Sequence, residues 1–509
     1  MAKARLPLLT SNDPEAFPLD SLNGATATVN AMYDQYPDGR PYATQRPGIE
    51  VLTDASEETI KTRGRGVRFW QETSATYFVN DDTIFKDDYS TSIGTISSGK
   101  QPVWFGELGG KLVILDQEND EGWTVDSGDT LAAISGANWP STLAGGGAVL
   151  DKTLYVMDED GLIYGSDLNA PTFTDALNVI EAEREPDPGL YLGKMLDQVV
   201  AFGTKTIEFF YDAANPTGSP LSRRSDVSYR IGSIDPTSFY NSSNVIYFIA
   251  SDVSGSLSFY KMENFQMQKL SNPTIDSAFD NAVITNSNQL VVSGALAQGH
   301  LFILLTEMDA SGTDFDPQRT FCFDATMGTW TTFKTDILDI TEFPVVFWSE
   351  RLRGDIRFGT GIFSNGDIIK FKTDGTHTDE FNPSEYFEPN YIETSYYSEA
   401  GDGSSVGVDF TIRTGEFDNG HQNNKVQHKL TIVGGITRNS SGTDPLLVRW
   451  TDDHYNTFSS DRSVTMSKQN YKVARGGIFN RRAYELSYSG TDKLRLEAIE
   501  LDFSESHYA

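Results

Sequence analysis

The chain has 509 residues, of which 40 are Lys or Arg and 72 are Asp or Glu, so its formal net charge is −32. This length exceeds that of a typical compact domain and is ample for a large core. The acid surplus has the opposite sign to that of proteins that hold DNA phosphates, which argues against a nucleic-acid-binding function. It indicates either an ordinary soluble acidic surface or a surface that faces DNA without adhering to it.

Composition narrows the fold class and the compartment. Hydrophobic residues make up 38% of the chain, and 31 Phe, 22 Tyr and 44 Gly are typical of many short strands and turns. Apolar runs such as Val345-Val346-Phe347-Trp348 are far shorter than the roughly 20 residues of a membrane helix. Pro7 and polar residues follow the basic start at once, so we expect no signal peptide and no secretion. The one cysteine, Cys322, excludes an internal disulfide framework and is expected to fill the core of a strand.

Residues 1–60 show little periodicity and contain turn signals at Pro14, Pro18, 37–39 and 46–48. This pattern predicts an extended arm. Because such an arm cannot bury itself, it should lie across another surface of the protein.

Residues 61–390 contain a series of hairpin signals. Apolar runs pair around short polar breaks at 77–86, 112–125, 154–164, 244–260, 300–323 and 361–371. The clearest hairpin spans residues 196–211, where two apolar arms flank Gly203-Thr204-Lys205. Its first arm, Val199-Val200-Ala201-Phe202, is apolar at successive positions, which predicts that both faces are buried between other sheets.

Successive hairpins start about 35 to 55 residues apart, close to the ~40–50 residue period of propeller blades. A blade is a small twisted sheet that cannot cover both of its faces alone, and radial packing between two neighbours covers them. The fold prediction is therefore an all-β protein with a β-propeller of about six or seven blades, closed by a strand from one end of the chain. A pair of stacked β-sandwiches is the alternative, although it gives less reason for a repeated unit.

Two segments depart from the hairpin pattern. Residues 173–184 are predicted to form a short helix that ends before Pro186 and Pro188. Residues 391–509 contain longer alternating strands, the last at 494–503, and are predicted to form an added antiparallel β-domain. The predicted domains are thus an N-terminal arm (1–60), a β-propeller (61–390) and a C-terminal β-domain (391–509).

Candidate chemistry is sparse. Gly403-Ser404-Ser405-Val406-Gly407 fits the hydrolase elbow formally, but it precedes a strand and is interpreted as a loop. Residues 116–122 form a carboxylate-rich turn whose glycine is one place too late for a calcium loop, so weak calcium binding there stays open. Residues 323–330 resemble the Asp-containing turn of sialidase blades and are interpreted as a tight turn with Trp330 between blades. Two sequons, at Asn241 and Asn439, have no consequence without secretion.

The remaining titratable residues form no recognisable centre. The six histidines, at 300, 377, 421, 428, 454 and 507, have no zinc spacing. We therefore predict no catalytic, cofactor-binding or metal-binding residue, no cofactor and no enzymatic activity. Five basic residues lie close together near the C-terminus and are expected to form a solvated face or to dock an acidic partner or another copy of the chain; they are Arg475, Arg481, Arg482, Lys493 and Arg495.

Short motifs along most of the chain resemble the tail-hub proteins of short-tailed bacteriophages, also called nozzle or packaged-DNA stabilisation proteins. The arm contains Val29-Asn30-Ala31-Met32-Tyr33 and Arg46-Pro47-Gly48-Ile49, similar to the family's start. Residues 64–69 resemble the first blade strand of the family, and residues 199–218 resemble a family motif that ends in a loop of small residues. The tail from 450 to 503 resembles the closing β-region, except that the expected Asp-Asp-Gly turn is Asp452-Asp453-His454.

The resemblance implies a structural virion protein of the tail, assembled in the host cytoplasm. Family members form a homo-hexamer below the portal and adaptor proteins, retain packaged DNA and provide the channel for genome ejection. The implied partners are the head-to-tail connector, tail fibre, spike or needle proteins, and double-stranded DNA that passes without specific binding. The competing hypothesis is a carbohydrate-binding or glycoside-hydrolysing propeller, which needs a carboxylate pair and an aromatic platform in one pocket.

Overall fold

The computed structural model describes these residues: 2–6, 8, 28–53, 63–182, 187–242, 244–251, 255–285, 288–309, 316–335, 343, 345–353, 356–363, 368–372, 378–380, 405–437, 445–466 and 471–505. Within this part of the chain there are 43 strands and one α-helix, and no helix is long and apolar enough to span a membrane. Both predicted domain boundaries, near 60 and 390, lie outside the described residues.

Six consecutive sheets, whose sequential strands pair antiparallel, and a seventh completed from the N-terminal segment form the blades of a β-propeller. Blade 1 contains β6 (Gly64–Trp70), β7 (Ala75–Asn80), β8 (Thr83–Lys86) and β9 (Asp88–Thr95). Blade 2 contains β10 (Trp104–Leu108), β11 (Lys111–Asp116), β12 (Glu121–Asp126) and β13 (Leu131–Ala133). Blade 3 contains β15 (Ala148–Leu150), β16 (Thr153–Met157), β17 (Leu162–Gly165) and β18 (Val179–Glu181). Each blade runs from its innermost strand outward.

Blades 4 to 6 repeat this order with additions. Blade 4 contains β14 (Gly145–Gly146), β19 (Gly189–Met195), β20 (Gln198–Gly203), β21 (Ile207–Asp212) and β22 (Leu221–Tyr229). Blade 5 contains β23 (Gly232–Ser233), β24 (Phe239–Ser242), β25 (Val245–Ser251), β26 (Leu257–Glu263) and β27 (Gln266–Lys269). Helix α1 (Pro273–Asp280) and a π-helical turn (Asn281–Thr285) lead to blade 6, which contains β28 (Gln289–Ala297), β29 (His300–Asp309), β30 (Asp316–Asp324) and β31 (Thr329–Phe333).

The seventh blade closes the ring with a strand from the other end of the chain. Strands β32 (Val345–Arg353), β33 (Ile356–Phe363) and β34 (Ile368–Phe371) pair in sequence, and β5 (Ile49–Thr53) then pairs with β34 as the outer strand. Side chains of blades 1 and 7 share one apolar cluster, which includes Val67, Phe78, Ile362 and Ile368. The predicted closure by a terminal strand is therefore confirmed, and the count is seven.

The hairpin at residues 196–211 shows why the sheets pack radially. Val200 and Phe202 of β20 lie in a cluster with blade 5, whereas Val199 and Ala201 lie in a cluster with blade 3. Successive side chains of a strand point to opposite faces, so a continuously apolar strand needs a cover on each side. The two-sided burial predicted for this hairpin is confirmed.

The C-terminal β-domain is a sandwich of two sheets that also incorporates the N-terminal arm. One sheet has the order β3 (Ala31–Gln35), β4 (Pro41–Gln45), β43 (Lys493–Glu505), β38 (Lys425–Thr437) and β41 (Tyr471–Phe479), and β1 (Ala2–Leu6) also pairs with β43. The other contains β2 (Thr28–Val29), β37 (Phe410–Arg413), β42 (Ala483–Tyr488), β39 (Leu446–Thr451) and β40 (Arg462–Val464). Strands β35 (Thr378–Glu380) and β36 (Ser405–Gly407) form a separate pair.

Strand β2 joins the sandwich to the propeller, because it pairs with β31 of blade 6 on one side and with β37 on the other. The arm thus crosses three units: blade 6, the sandwich and blade 7. This agrees with the expectation that the arm lies across other surfaces.

The helix predicted over residues 173–184 is wrong. Residues 175–178 form a turn in which Asp175 accepts a hydrogen bond from the Leu177 amide, and β18 then pairs with β17. The outer edge of blade 3 provides a hydrogen-bonding partner that a short isolated helix lacks, so tertiary context overrides local propensity. The helix that does form, α1, starts with Asn272, whose side chain accepts from the amides of Thr274 and Ile275, followed by Pro273.

Radial packing predicts a sharp contrast between two apolar positions. Phe202→Ala removes a ring that is 1% exposed between blades 4 and 5 and should lower the free energy of unfolding by about 3–5 kcal/mol. The matched control, Leu177→Ala, removes a side chain that is 67% exposed and should change it by less than about 0.5 kcal/mol. Denaturant unfolding of both variants checks this, and equal losses would contradict the packing.

Candidate functional site: the axial cavity and the buried arginine ties

The innermost strands of the propeller enclose a cavity on its axis. Its volume is about 480 Å³, and residues of β6, β10, β19, β24, β28 and β32 line it. Strands of six of the seven blades converge here, so side chains fill most of the space that the ring leaves. A duplex whose major groove alone is about 12 Å wide cannot pass through a space of this size.

The polar groups of the cavity are few. Among its described lining residues Glu107 is the one carboxylate, and its Oε1 lies 3.4 Å from Nη2 of Arg68. Both side chains are close to half exposed, so solvent screens this pair. Glycoside hydrolysis uses two carboxyl groups at about 5–9.5 Å, and this cavity offers one.

Two contacts lock the wall of the cavity. The Phe69 amide of blade 1 donates to Oγ of Ser349 in blade 7 at 2.9 Å, which joins the first and last blades directly. The Tyr240 ring of blade 5 lies against Gly294 of blade 6, where a Cβ atom would stand 2.1 Å from the ring. Gly294 is therefore needed for close approach rather than for its backbone freedom.

Arg65 ties blade 1 to blade 2 through the acidic turn that the sequence singled out. Its side chain is fully buried, and Nη2 donates to Oδ1 of Asp116 at 2.7 Å. The other donors bind the carbonyl oxygens of Gln101, Asp81 and Ser97. Residues 116–122 thus act as an inter-blade anchor, and the described part of the chain contains no group of three or more His, Cys, Asp or Glu placed to hold a metal ion.

Arg46 ties the arm to the rest of the molecule. The side chain is 0% exposed and all five of its N–H donors are used. Nη1 and Nη2 bind the two carboxylate oxygens of Asp379, at 2.9 and 2.5 Å, and the remaining donors reach Asn30 Oδ1 and the carbonyl oxygens of Pro47 and Lys334. Asp379 also accepts from the Ile49 amide at the start of β5. We call this set the arm clasp: Asn30, Arg46, Lys334 and Asp379.

The basic group near the C-terminus is not one solvated face. Arg482 is 2% exposed and forms a bidentate pair with Asp452, with both N–O distances 2.7 Å, while its other terminal nitrogen donates to Gln427 and Gly476. Arg481 points elsewhere and pairs with Glu416 and Asp418. Arg482 thus holds the two sheets of the sandwich together, because β38 and the β39–β40 connection belong to different sheets.

The other sequence candidates are structural as well. Cys322 is fully buried in the core shared by blades 6 and 7, and Trp330 is buried between blades 5 and 6, as predicted. Ser405 and Gly407 belong to β36, while Gly403 and Ser404 lie outside the described residues. In the turn at 452–454, hydrogen bonds from Thr457 and Thr451 lower the pKa of Asp453 to about 2.

His300 is the titratable group that links blade 6 to the sandwich. Its Nδ1 lies 2.7 Å from Oδ2 of Asp324. Burial by itself lowers the pKa of His300, but the hydrogen bond and charge of Asp324, with a smaller contribution from Asp34, outweigh burial and the opposing charge of Lys493, so the pKa is raised. Asp34 and Lys493 belong to the sandwich strands β3 and β43.

Together these features define a class: a seven-bladed propeller scaffold whose buried charges connect its units. A family model described as "Bacteriophage P22 Gp10, beta-propeller" matches residues 28–347. The match covers more than half of the chain, so the chain belongs to this family of phage stabilisation proteins. The match starts at β2 and extends into β32, which includes the arm clasp's Asn30, Arg46 and Lys334.

Other comparisons add little. No curated protein sequence matches the chain. Solved structures similar to it include a streptogramin B lyase (10% identity, TM-score 0.41, covering 64% of this chain and 97% of that chain) and a virginiamycin B lyase from Staphylococcus aureus (9%, 0.40, 63% and 98%). A further one is the Cps50 (Swd1) β-propeller domain from Myceliophteria thermophila (9%, 0.39, 61% and 97%). Similarity at this level carries no argument about function.

The arm clasp predicts non-additive substitution effects. Arg46→Met and Asp379→Asn each remove one partner of the buried ion pair and leave the other without its counter-charge. Each should lower the free energy of unfolding by about 3–5 kcal/mol. The double variant should cost much less than the sum, because no unpaired charge remains. Arg40→Met is the control, since Arg40 pairs with Asp38 and Glu497 at the surface, where solvent screens the charges, so its loss should change stability little. Strict additivity in a double-mutant cycle would show that the two side chains do not interact.

The raised pKa of His300 predicts that the stability of the fold depends on pH. Because its folded pKa is raised, its protonation stabilises the fold fully below the unfolded pKa of about 6.5, and this contribution is lost as the pH rises through the folded pKa. His300→Gln should therefore lose stability relative to the native chain at about pH 6 and lose less at about pH 8.5. Melting temperatures across this range check the sign, and a difference that grows with pH would contradict it.

Proposed function

We propose that this chain is the tail-hub or nozzle protein of a short-tailed phage. In this proposal, copies form a homo-hexameric ring that docks below the portal-adaptor proteins, retains packaged DNA and provides the channel for its ejection. The single observation that carries the proposal is the family match over residues 28–347. The six-fold copy number rests on the resemblance of the sequence motifs to tail-hub proteins.

The geometry supports a channel between copies rather than through one copy. The axial cavity holds about 480 Å³, which suits a small molecule and not a duplex. DNA would therefore run along the axis of the ring, past the outer surfaces of the propellers. The net charge of −32 would keep phosphates from adhering there, because like charges give DNA no binding site.

The buried ties suit a mechanical role. Arg46, Arg65 and Arg482 each join units that are far apart in sequence or in different sheets. Such groups specify one arrangement strongly, since breaking a buried pair is far more costly than losing an exposed one. A ring component that bears the pressure of packaged DNA needs this kind of rigidity, and it needs no catalytic centre.

The axial cavity is a location where the carbohydrate-active alternative can be examined. The hydrolytic form lacks support there, because Glu107 is the one carboxylate among the lining residues and pairs with Arg68. A binding form would use the aromatic side chains of the same cavity, such as Phe105 and Phe347.

Particle reconstitution tests the proposal. Phage particles assembled without this chain should lose their DNA, and adding the purified chain before the DNA leaks should retain it and restore infection. Labelled antibody against the chain should mark the tail of complete particles. Particles that retain DNA equally well without it, or labelling confined to the capsid shell, would refute the proposal. Saccharide binding by the isolated chain, with no effect on particles, would favour the alternative.

The acidic charge proposed for the lumen leads to a separate prediction about DNA release. If the lumen of the assembled ring is acidic, replacing lumen-facing Asp and Glu by Asn and Gln should slow DNA release from particles without changing ring assembly. The rate of dye-reported DNA release checks this. An electrostatic map of the assembled ring with a net basic lumen would contradict it.

A further inference from the structure

Among the residues that the structure describes, four of the five strongly exposed large apolar side chains lie on one end of the propeller. The β15–β16 and β17–β18 connections of blade 3, the β19–β20 and β21–β22 connections of blade 4, and the β28–β29 and β30–β31 turns of blade 6 lie at the same end of the ring, because the strands of each blade alternate in direction. In blade 6 these turns face the sandwich: Met327 packs against the sandwich core, and His300 lies beside Asp34 and Lys493. We call this end the sandwich face.

Four exposed apolar residues of blades 3 and 4 belong to the sandwich face. Leu168 and Leu177, 72% and 67% exposed, lie in the connection between β17 and β18. Leu196 lies in the turn between β19 and β20, and Tyr211 lies near the end of β21, opposite Gln198. We call these four residues the leucine patch.

The leucine patch is held rigidly and has acidic surroundings. Asp167 accepts hydrogen bonds from Thr172 and Thr174, which fixes the connection that carries both leucines. The connections that carry the two leucines of blade 3 and Leu196 contain three aspartates, at 167, 175 and 197, and no basic residue, and the neighbouring β15–β16 turn contains Asp151 and Lys152. Arg224, on the adjoining outer strand, pairs with Asp226.

A second surface, on the sandwich, has an exposed apolar side chain with basic rather than acidic neighbours. Ile478 is 63% exposed on β41, which is the edge strand of its sandwich sheet. Strand β41 contains Lys472 and Arg475 and no acidic residue, and Arg462 from β40 crosses it to donate to the carbonyl oxygens of Ala474 and Arg475. Lys472, Ala474 and Ile478 point away from the core, because Tyr471, Val473 and Phe479 point into it.

The edge of β41 is built for side-chain contact rather than strand addition. Its register with β38 shifts between Gln427 and Lys429, and Arg475 and Gly477 have φ of 61° and 78°. Bulges of this kind block pairing with a further strand. The guanidinium of Arg462 already occupies two of its outward carbonyls.

We propose that the leucine patch of one copy docks the β41 edge of the next copy. Both surfaces expose large apolar side chains, and the charged residues in the same elements have opposite signs, which is the complementarity that specific interfaces use. They differ from each other, and blade 3 is as far around the ring from blade 6 as seven blades allow, so the contact is head-to-tail. A head-to-tail contact generates a closed ring when its rotation closes. This inference rests on the proposed function and names the surfaces that make its ring.

Site-directed cross-linking of the full chain tests the contact. The native Cys322 is buried, so the double variant Leu177→Cys, Ile478→Cys presents two reactive thiols. With a short bismaleimide it should give a ladder of covalent species beyond the dimer, whereas each single variant should stay monomeric. The control Asp160→Cys, Ile478→Cys, with Asp160 exposed in the β16–β17 turn on the opposite end of blade 3, should give no ladder.

The outcomes separate this inference from the proposed function. If the native chain sediments as an oligomer but the Leu177, Ile478 pair does not cross-link, the interface is wrong and the ring proposal stands. If the chain stays monomeric at every concentration and does not cross-link, the interface is also wrong, and particle reconstitution decides the function separately. Dimers from Leu177→Cys alone would show a symmetric contact and overturn the head-to-tail arrangement.

A charge swap gives a second measurement. Lys472→Glu should weaken association several-fold at low salt, because it places like charges against the acidic rim of the leucine patch. Adding Asp175→Lys in the same chain should restore part of that loss. If Asp175→Lys weakens association further, the two residues do not face each other and the proposed pairing is overturned.

Discussion

The propeller depends on one constraint: a small sheet with two apolar faces must find a cover for each face. Strand β20 shows it most plainly, because its alternate side chains enter the cores shared with blade 3 and blade 5. A linear row of such sheets leaves one bare face at each end. The row becomes stable only when the first and last sheets meet, so closure is a condition of the whole fold rather than a detail of blade 7.

In this chain the N-terminal segment closes the ring, and the buried guanidinium of Arg46 holds that segment in place. Strand β5 completes blade 7, while β2, separated from β5 by two strands in the sequence, bridges blade 6 and the sandwich. Arg46 lies between β2 and β5 in the sequence, and all five of its N–H groups donate hydrogen bonds to Asn30, Asp379 and two carbonyl oxygens. The same segment therefore closes the ring and fixes the sandwich to it. In the proposed function, this coupling would let a ring of copies transmit force to the proteins above and below it.

Local patterns predicted the repeating part of the fold and missed the ties between its units. Hairpins such as β25–β26 and β29–β30 follow from apolar arms around polar breaks, and their strands pair as predicted. The sequence around Arg46 indicated only a turn, because its partner Asp379 lies 333 residues away and no local pattern reports such a contact. Arg482 was missed for the same reason: neighbouring basic residues suggested a surface, although Asp452 and Gln427 make it a core group. Helix α1 had a usable signal, the Asn272-Pro273 start, and residues 173–184 show that an open sheet edge outweighs helical propensity.

Hydrogen exchange on the full-length chain tests the central claim most directly. If β5 closes the ring as the outer strand of blade 7, amides of Ile49–Thr53 that pair with β34 should be protected and should open together with blade 7. The Arg46→Met variant should lose that protection before blades 2 to 5 lose theirs. Free exchange across Ile49–Thr53 in the native chain, with β32 to β34 and blades 1 to 6 still protected, would contradict closure by the N-terminal strand.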